Sequence, residues 1–588
     1  MHSTQTDNRF YPNLREQFRR DLQSAGLHQV DVESQTEQWS GSLQVDWRDP
    51  MTDAFCVAQH TILIELPAAF PFASPRVFPT DADTPIRDAR HQMPGANTGR
   101  LCLWPNDSAG WMPFLTVEDV LERIRAWFVH YHQDDWPAEE RPPDLHMYFP
   151  SVGRHPLMLI SDDWQPPTEA MTGRFGIWQR LPEHAFAGLP VEGVQMPPHT
   201  HTDRLLPTLG LSKQHRERVG LWFRLQREPQ PCTTLLALLA EIDAAAGASA
   251  GWAKEQLRGL FGDKIRKRPQ QATIALGYPG EAAHETWLFL EAQLGIREGI
   301  CRWGTTSALR NTPLRSYETA PVDAASLMRR TGHVARRINQ RRVVVFGQGA
   351  IGGTITLLLA KAGIPHLRVV DDDVLRPGNA VRHVGGLAFA GQEKTRVVQW
   401  QVQLHAPDCT VLPEAASWNP ETLTGWIAEA DLVIDATANP TFSLLLNQLC
   451  IEVGRPAIYA SAHRRAALGR IRVVRPGRDA CLVCYEAGYL KADAYPVIPL
   501  GDEGAFVETG CGVPTVEASA ADIDAVAAAA AQTALRLLGD TLGSDNHCLL
   551  VNEVLPDVTG IFRRRGANWQ TWQPIDGCET CGSPQSVR

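Results

Sequence analysis

The alternation of apolar and polar residues in the N-terminal part of the chain predicts a helix, a small meander of strands and a second helix that packs on the meander. Tyr11 to Leu27 has helical periodicity. Alternating apolar residues then predict strands over 41–47, 55–66 and 76–78. Thr116 and Asp119 have the spacing of a capping box, and the apolar residues after them fall on one helical face. We expect an α+β domain over residues 1–135.

Buried strands and apolar helices alternate in the C-terminal part. A strand over 343–346 runs into the glycine loop Gly347-Gln348-Gly349-Ala350-Ile351-Gly352 and then into an apolar helix. A second strand, over 366–370, ends at Asp371, about 24 residues after the first glycine, where a carboxylate can hold a ribose hydroxyl. A third strand over 431–435 and an alanine-rich helix over 518–538 follow. This order predicts a Rossmann-like nucleotide-binding domain over residues 326–588.

The middle of the chain carries no motif. Prolines crowd the region between Trp136 and Pro167 and mark a domain boundary. The stretch that follows has a helical pattern over 235–242 and apolar segments over 272–276 and 287–290, so it is globular rather than disordered. We assign residues 136–325 to a middle linker domain of unknown role, and the whole chain to the multidomain α/β class.

Length and charge exclude some functions. A chain of 588 residues has room for about three or four domains. Its net charge is -10 and it has no long Lys/Arg block, so we expect its partners to be proteins or small molecules. We do not expect it to bind nucleic acid or a membrane surface. The polar N-terminus and the lack of 18 uninterrupted apolar residues predict a cytoplasmic protein. Its 12 cysteines should then be thiols or metal ligands rather than disulfides.

Two CxxC pairs stand out among these cysteines, Cys481 with Cys484 and Cys578 with Cys581. Four thiolates in a tetrahedral array suit structural Zn²⁺. Such a site would pin the C-terminal tail to the nucleotide-binding fold and would leave no open position for catalysis. A redox dithiol is the alternative for either pair alone.

The glycine loop alone does not identify a reaction, because it also occurs in NAD-dependent oxidoreductases. The residues after the second strand are more specific, namely Asp371, Asp373, Asn379, Arg382 and Lys394. Their spacing resembles the adenylation domains of the ThiF, MoeB and ubiquitin-activating enzyme family. The resemblance implies that the loop glycines and Asp371 bind ATP and that Asp373 helps hold Mg²⁺. The last three would grip the phosphates, since an anionic carboxylate must attack an anionic phosphate.

One position departs from the family pattern. Where the family usually has Thr-Asp-Asn, with the Asp on the metal, residues 437–439 read Thr-Ala-Asn. Asp435 is the candidate replacement, or Asp373 works alone. The family also dimerises and donates an arginine from the partner subunit, which implies a homodimer here, with Arg329 or Arg330 as the donated residue.

The first candidate thiol is Cys102. It lies between a proline-rich turn over 66–75 and the element Trp111-Met112-Pro113, which precedes the second helix. This order resembles the ubiquitin-conjugating enzymes over about 130 residues and implies that Cys102 is a thioester-forming nucleophile. The alternative is that Cys102 is a small buried core residue.

The match to that family is incomplete at its His-Pro-Asn element. His91 is the best match to the histidine, but Gln92 and Met93 replace the proline and the asparagine. Asn97 or Asn106 is the candidate substitute for the asparagine, whose amide is thought to stabilise the oxyanion or the loop during attack on the thioester.

The second candidate thiol is Cys511, which lies between glycines and between the two CxxC pairs. In the activating family this crossover position carries the thiol that takes the acyl group from the adenylate. The flanking glycines allow close backbone approach. Cys548 heads an apolar strand and is expected to be a core residue.

Together the two ends resemble bacterial fusions of a ubiquitin-conjugating-like domain to a ubiquitin-activating-like domain, found in anti-phage CBASS operons. The resemblance implies ATP-dependent adenylation of a protein's C-terminal glycine, a thioester on Cys511, transfer to Cys102 and ligation to an amine of a target. The activated protein would be a cGAS-like nucleotidyltransferase. The alternatives are a sulfur-carrier adenylyltransferase, an NAD-dependent oxidoreductase and a non-catalytic scaffold.

Overall fold

The computed structural model describes residues 12–30, 36–80, 91–93, 99–104, 111–133, 135–136, 145–149, 157–181, 184–188, 218–265, 270–280, 285–294, 309, 312–331, 333–415, 419–489, 517–555 and 564–582. They form two compact units. The first contains the described residues up to 320 except 160–165, and the second contains 160–165 and the described residues from 321 onward. The chain is a multidomain α/β protein.

The first unit opens with a helix, an antiparallel meander and a second helix. The helices are α1 (Pro12–Ser24) and α2 (Val117–Gln133). The meander strands are β1 (His28–Val30), β2 (Glu37–Arg48), β3 (Phe55–Leu66) and β4 (Arg76–Pro79). A short hairpin precedes α2, formed by β5 (Gln92–Met93) and β6 (Arg100–Leu101). The predicted helices and strands are confirmed, whereas β1 is too short to carry a periodic pattern.

Helix α2 begins at the predicted capping box and packs on the meander through its predicted apolar face. The Asp119 N–H donates to Thr116 Oγ1 at 3.2 Å, and the Thr116 N–H donates to Asp119 Oδ2 at 2.6 Å. Val120, Ile124 and Phe128 are fully buried against the strands. Burial of such side chains contributes about 1.5–3 kcal/mol each. This burial places α2 in the same core as Leu101 of the β5–β6 hairpin.

Two histidines form a direct pair between α2 and the meander. The Nε2 atoms of His60 and His132 lie 2.9 Å apart, so one ring donates to the other. His60 stacks on Phe128 and His132 stacks on Trp47, each with ring centroids 3.9 Å apart. Burial, and then the neighbouring His60, lower the pKa of His132. Only one of the two facing nitrogens can carry a proton in this geometry.

We expect acid to destabilise this part of the chain through His132. Because its pKa is depressed in the folded state, the unfolded chain binds the proton first, so stability is complete above about pH 6.5 and falls below it. His132→Gln keeps a donor to His60 without a titrating group. The fall in thermal midpoint between about pH 7.5 and about pH 5.5, followed by tryptophan fluorescence of the full chain, should shrink by a few degrees in this variant. An equal change in the exposed control His28→Gln would contradict the assignment.

The first unit also contains a closed barrel, with strand order β10-β11-β12-β13-β7-β9-β8. Its strands are β7 (Leu157–Ile160), β8 (Thr172–Leu181), β9 (His184–Gly188), β10 (Arg218–Arg224), β11 (Gln270–Pro279), β12 (Glu285–Leu294) and β13 (Leu314–Pro321). Two helices, α3 (Leu235–Ala245) and α4 (Trp252–Ile265), and a 3-10 turn (Leu145–Tyr148) pack on apolar side chains of β11 and β12. All seven strands lie within the predicted middle region.

The second unit is built on a sheet in the order β16-β15-β14-β17-β18-β19-β20-β21. The strands are β14 (Arg342–Phe346), β15 (His366–Val370), β16 (Thr410–Glu414), β17 (Leu432–Asp435), β18 (Ala457–His463), β19 (Leu468–Val474), β20 (His547–Val551) and β21 (Gly566–Gln570). The strands from β16 to β18 are parallel, and β19 to β21 extend the sheet with antiparallel pairing.

Helices cover both faces of this sheet. They are α5 (Ala324–Met328), α6 (His333–Ile338), α7 (Ala350–Lys361), α8 (Lys394–His405), α9 (Pro420–Glu429), α10 (Pro440–Val453) and α11 (Ala520–Leu538). Short 3-10 turns occur at Arg329–Thr331, Pro377–Asn379 and Leu387–Phe389, and a π turn at Cys484–Tyr489. α7, α8 and α11 pack on one face, and α9 and α10 on the other. This doubly wound arrangement confirms the predicted Rossmann-like class.

None of the helices in the described part of the chain combines the length and the apolar character needed to cross a bilayer.

Candidate functional site

The carboxyl ends of three neighbouring parallel strands form the floor of the candidate nucleotide site. β14 leads into the glycine loop, β15 leads into Asp371, and β17 ends at Asp435. Phe346, the last residue of β14, pairs with Val370 of β15 and with Asp435 of β17. Neighbouring strands lie about 4.8 Å apart. The three segments therefore meet at one edge of the sheet, which is where α/β folds bind ligands.

The glycine loop turns too tightly for a side chain at two of its positions. Gly347 has φ of +81°, and a Cβ there would lie 2.8 Å from the Ala436 carbonyl oxygen. A Cβ on Gly352 would lie 1.8 Å from the Gly347 carbonyl oxygen. A Cβ on Gly349, in contrast, would meet no atom within 4 Å. Packing thus requires glycine at 347 and 352. Gly349 instead leaves open space at the start of α7.

Gln348, which the sequence pattern does not single out, anchors the loop. Its buried side chain donates from Nε2 to the Val345 carbonyl oxygen at 2.9 Å, and Thr356 Oγ1 donates to its Oε1 at 3.1 Å. Its backbone N–H donates to Asp371 Oδ2 at 2.5 Å. The other oxygen of Asp371 accepts from the Asp373 N–H at 2.9 Å. Asp371 therefore fixes the shape of the loop beside which it lies.

Asp373 and Lys394 form an ion pair at the edge of the site. Lys394 Nζ donates to Asp373 Oδ2 at 2.6 Å, and Arg376 Nε lies 4.0 Å from the same carboxylate. Burial raises the pKa of Asp373, but the hydrogen bond and the charge of Lys394 outweigh it and hold the pKa below its usual range. α8 begins at Lys394, so the helix start fixes the position of this cation.

Other predicted site residues lie on turns rather than on strands or long helices. They are Asn379, Arg382 and the two candidate donated arginines, Arg329 and Arg330. Asn379 Oδ1 accepts from the Arg376 N–H at 3.1 Å, and the Arg382 N–H donates to the Asn379 carbonyl oxygen at 2.9 Å. Asn379 thus shapes the turn between β15 and α8, on which the half-buried Arg382 lies. Arg329 and Arg330 are exposed in the 3-10 turn that follows α5. Donation of either arginine to a partner subunit stays a prediction.

Asp435 is buried at the end of β17, with 3% of its surface exposed. Its Oδ1 accepts from the Thr437 N–H at 2.9 Å and from Thr437 Oγ1 at 2.7 Å, and Ser443 Oγ donates to Oδ2 at 2.5 Å. Burial raises the pKa of this carboxyl group, although the three hydrogen bonds oppose it. Asp435 therefore shapes the turn into α10, where Ala438 takes a left-handed φ of +55°. Asp373, with a side chain 42% exposed, is the more accessible candidate metal ligand.

The two CxxC pairs lie in one cluster. All four Sγ atoms lie within 4.8 Å of one another, with Cys481 at 3.8 Å from Cys484 and 3.7 Å from Cys578. Tetrahedral Zn²⁺ with Zn–S bonds of about 2.3 Å needs sulfurs about 3.8 Å apart, so these residues fit the ion. The Ile575 N–H donates to Cys484 Sγ at 3.4 Å, and the hydrogen bond from Cys481 lowers the pKa of Cys484 to about 5. The joint cluster, completed by Cys581, disfavours two separate redox dithiols.

Cys102 lies directly after the β5–β6 hairpin, opposite His91. The Cys102 N–H donates to the His91 carbonyl oxygen at 3.0 Å, and the indole N–H of Trp127 donates to the same oxygen at 3.0 Å. The His91 ring stacks on Trp136 with centroids 3.6 Å apart. Because Trp127 belongs to α2, these contacts fix the backbone of the half-buried Cys102 against that helix.

The element after Cys102 is tied to the proline-rich turn. The indole N–H of Trp111 donates to the Pro71 carbonyl oxygen at 2.8 Å. The Trp111 ring lies 5.8 Å from that of Phe70 and edge-on to that of Trp104 at 5.3 Å. The turn, the cysteine segment and the tryptophan thus share one core.

Three of the predicted positions lie outside the described residues, namely Cys511, Asn97 and Asn106. Their roles stay predictions. Gln92, where the conjugating family has proline, is buried, and its amide donates to the Gly99 carbonyl oxygen at 3.2 Å. Cys548 is fully buried in β20, as expected of a core residue.

A comparison with protein families finds a match within the second unit. Residues 324–555 match the ThiF family. The C-terminal region of this chain contains a ThiF-like domain. The match runs from α5 through β20 and includes the glycine loop, Asp371, the Asp373–Lys394 pair and the first CxxC pair.

Similar proteins differ in how much of the chain they cover. The uncharacterized Sinorhizobium fredii protein y4oA is 25% identical over 528 residues, which are 84% of this chain and 86% of y4oA. The adenylyltransferase and sulfurtransferase MOCS3 of Sus scrofa is 32% identical over 149 residues, and the chain spans only 32% of that protein. A crystal structure of E. coli MccB with AMPCPP and MccA covers 42% of this chain and 69% of its own, at 18% identity and a TM-score of 0.33.

Proposed function

We propose that this chain uses ATP to activate the C-terminal glycine carboxylate of a protein and passes the acyl group through two thiols to an amine. The observation that carries the proposal is the ThiF-family site, where the glycine loop, Asp371 and the Asp373–Lys394 pair meet at one sheet edge. Cys511 would carry the acyl group first, and Cys102 second. The fixed backbone of Cys102 beside His91 supports the second role.

In the adenylation step, a carboxylate oxygen of the substrate attacks the α-phosphorus of ATP. A P–O bond forms, and pyrophosphate leaves with the electrons of the bond that breaks. Both reacting groups are anionic, so fixed cations must offset their repulsion. Lys394 and Arg382 are the proposed cations, and the ion pair with Asp373 fixes the ammonium group of Lys394. Asp373 would also hold Mg²⁺, whose charge reduces the same repulsion.

Three acyl exchanges follow. The Cys511 thiolate attacks the acyl carbonyl carbon and displaces AMP. The Cys102 thiolate then attacks the thioester and releases Cys511. A target amine displaces Cys102 and loses a proton, so the products are an amide, AMP and pyrophosphate, and both thiols are regenerated. Each step exchanges one activated acyl group for another. By the resemblance of the two ends, the activated protein is a cGAS-like nucleotidyltransferase in anti-phage defence, and the enzyme works as a homodimer in the cytoplasm.

A sulfur-carrier adenylyltransferase is the second candidate. The similarity to MOCS3, which falls on 25% of the chain, favours it. It would adenylate a carboxylate in the same way but would have no use for Cys102. The variant Cys102→Ala therefore separates the two candidates.

The relay predicts distinct adducts for each thiol variant. The full chain is incubated with ATP, Mg²⁺ and a candidate protein that ends in glycine, and is analysed on a non-reducing gel and by intact mass. Wild type should gain the substrate mass less one water, in an adduct that reductant removes. Cys511→Ala should form no thioester. Cys102→Ala should keep the acyl group on Cys511 and lose amide formation by about a hundredfold or more.

Cys56→Ala is the matched control, because Cys56 is a half-buried thiol like Cys102 but lies on β3, away from the β5–β6 hairpin. It should behave as wild type. Full turnover in Cys102→Ala would leave the carrier adenylyltransferase as the function. If wild type exchanges no pyrophosphate into ATP with any glycine-ending protein, the proposal fails and a non-catalytic scaffold remains.

A further inference from the structure

His383 joins the glycine loop to the turn that carries the proposed phosphate ligands. Its Nε2 donates to the Gln348 carbonyl oxygen at 2.8 Å, and its Nδ1 accepts from the Gly385 N–H at 2.9 Å. Its own N–H donates to the Asn379 carbonyl oxygen at 2.9 Å. Only 8% of the residue is exposed. Both ring nitrogens are therefore engaged, one with the loop and one with the turn.

These partners fix the protonation state of the ring. The Gln348 carbonyl oxygen can only accept, so Nε2 must carry the proton. The Gly385 N–H can only donate, so Nδ1 must be unprotonated. A second proton, on Nδ1, would point at the Gly385 N–H and break that hydrogen bond. The imidazole can hold both segments only while it is neutral.

The charged groups around the ring come from two elements. Burial has the largest influence and lowers the pKa of His383. The hydrogen bond to Gln348 and the charge of Asp371, after β15, raise the pKa, and Lys394, at the start of α8, lowers it. The net direction is downward, so the ring is neutral at pH 7 and becomes protonated only in acid.

The packing around His383 leaves it little room to shift. A Cβ on Gly385 would lie 2.1 Å from Val397 Cγ1 and 3.3 Å from His383 Nδ1. Val397 is on α8, one turn after Lys394. The turn that carries His383 therefore presses directly on the helix that carries Lys394. A displaced ring would disturb the glycine loop and this helix together.

We propose that His383 is a positioning residue of the nucleotide site, whose neutral ring holds the glycine loop in register with Arg382 and Lys394. It acts through Gln348 and Gly385 rather than on the reacting atoms. The inference rests on the proposed function in one respect, that the site binds ATP. It makes ATP binding sensitive to acid, because protonation of the ring, which burial shifts to below the ordinary histidine pKa of about 6.5, competes with the bond from Gly385.

The test measures Mg-ATP binding to the full chain by calorimetry at about pH 7.5 and about pH 5.5. Wild type should bind a few-fold more weakly at the lower pH, because the lowered pKa of His383 leaves the ring only partly protonated there, and His383→Ala should bind about tenfold more weakly than wild type at the higher pH. His383→Gln offers one donor and one acceptor and does not titrate, so it should restore binding and lose most of the acid effect. His405→Gln, at an exposed position of α8, is the matched control and should keep the wild-type profile.

Hydrogen exchange of the peptide around Gln348, without nucleotide, gives a second measurement that does not depend on ATP. The loop should exchange faster in His383→Ala than in wild type or His383→Gln. Equal exchange rates in all three proteins would overturn the positioning role. If wild type fails to bind ATP but the exchange rates differ as expected, the proposed function fails and the role of His383 stands.

Discussion

Gly352→Ala should reduce ATP binding below detection and lower the thermal midpoint of the second unit. The new methyl group would lie 1.8 Å from the Gly347 carbonyl oxygen, so the loop would have to move. The loop has little freedom to do so, because the Gly347 N–H donates to the Val370 carbonyl oxygen at 2.8 Å and Gln348 is fully buried. Overpacking of this kind costs about 1–3 kcal/mol, which corresponds to a midpoint lower by several degrees. Calorimetry of the full chain measures both effects.

Gly349→Ala is the matched control for this change. It adds the same methyl group to the same loop, but the Cβ of residue 349 would point into open space and contact no neighbouring segment within 4 Å. Its midpoint should therefore equal that of wild type. Weaker ATP binding at an unchanged midpoint would mean that the nucleotide itself occupies the space beside Gly349. If Gly352→Ala has the same thermal midpoint as wild type, the loop tolerates a side chain at this position and the prediction is wrong.

The parts of the site that the sequence predicts are those with short, strict spacing. A glycine loop between a buried strand and a helix is constrained by backbone geometry, and Asp371 follows the next strand at a distance set by one βα unit. Local periodicity likewise predicts β3 and β15 with the bounds observed. The pairing of the two CxxC motifs follows from the chemistry of thiols, which have few other reasons to occur at that spacing.

The parts that the sequence does not reveal depend on contacts between distant residues. His383 reaches Gln348 across 35 positions, and neither residue belongs to a periodic pattern. The middle barrel closes because β10 pairs with β8 on one side and with β11 on the other, which no local pattern specifies. Its helix α3 has helical periodicity and could be predicted, but alternating residues do not specify which strands pair. Asp435 shows a third kind of difference between sequence and structure. Its position in the sequence predicts a metal ligand, whereas its hydrogen bonds from Thr437 and Ser443 show that it shapes a turn.

Removing one thiol of the cysteine cluster should release a metal ion and loosen the C-terminal tail. The full chain is expected to carry about one Zn²⁺ in this cluster, measured by plasma mass spectrometry. Cys484→Ser should lower the zinc content well below half and the thermal midpoint by about ten degrees, because structural zinc contributes several kcal/mol to folding. Cys578 and Cys581 pack against the same apolar cluster as Phe346, which directly precedes the glycine loop. The loss of metal should therefore also weaken ATP binding.

Chelation separates a metal site from a pair of redox dithiols. Phenanthroline should reproduce the effects of Cys484→Ser in wild type, and Cys56→Ser, outside the cluster, should keep its zinc. A purified chain that holds no metal and whose intact mass is two hydrogens lower for each CxxC pair would contain disulfides, which would contradict the metal site. The order in which the tail and the sheet lose protection from hydrogen exchange gives a further test of the metal site. The tail after β21 holds two of the four thiols, whereas β14 lies inside the sheet, so chelation should speed hydrogen exchange in the tail before it affects β14.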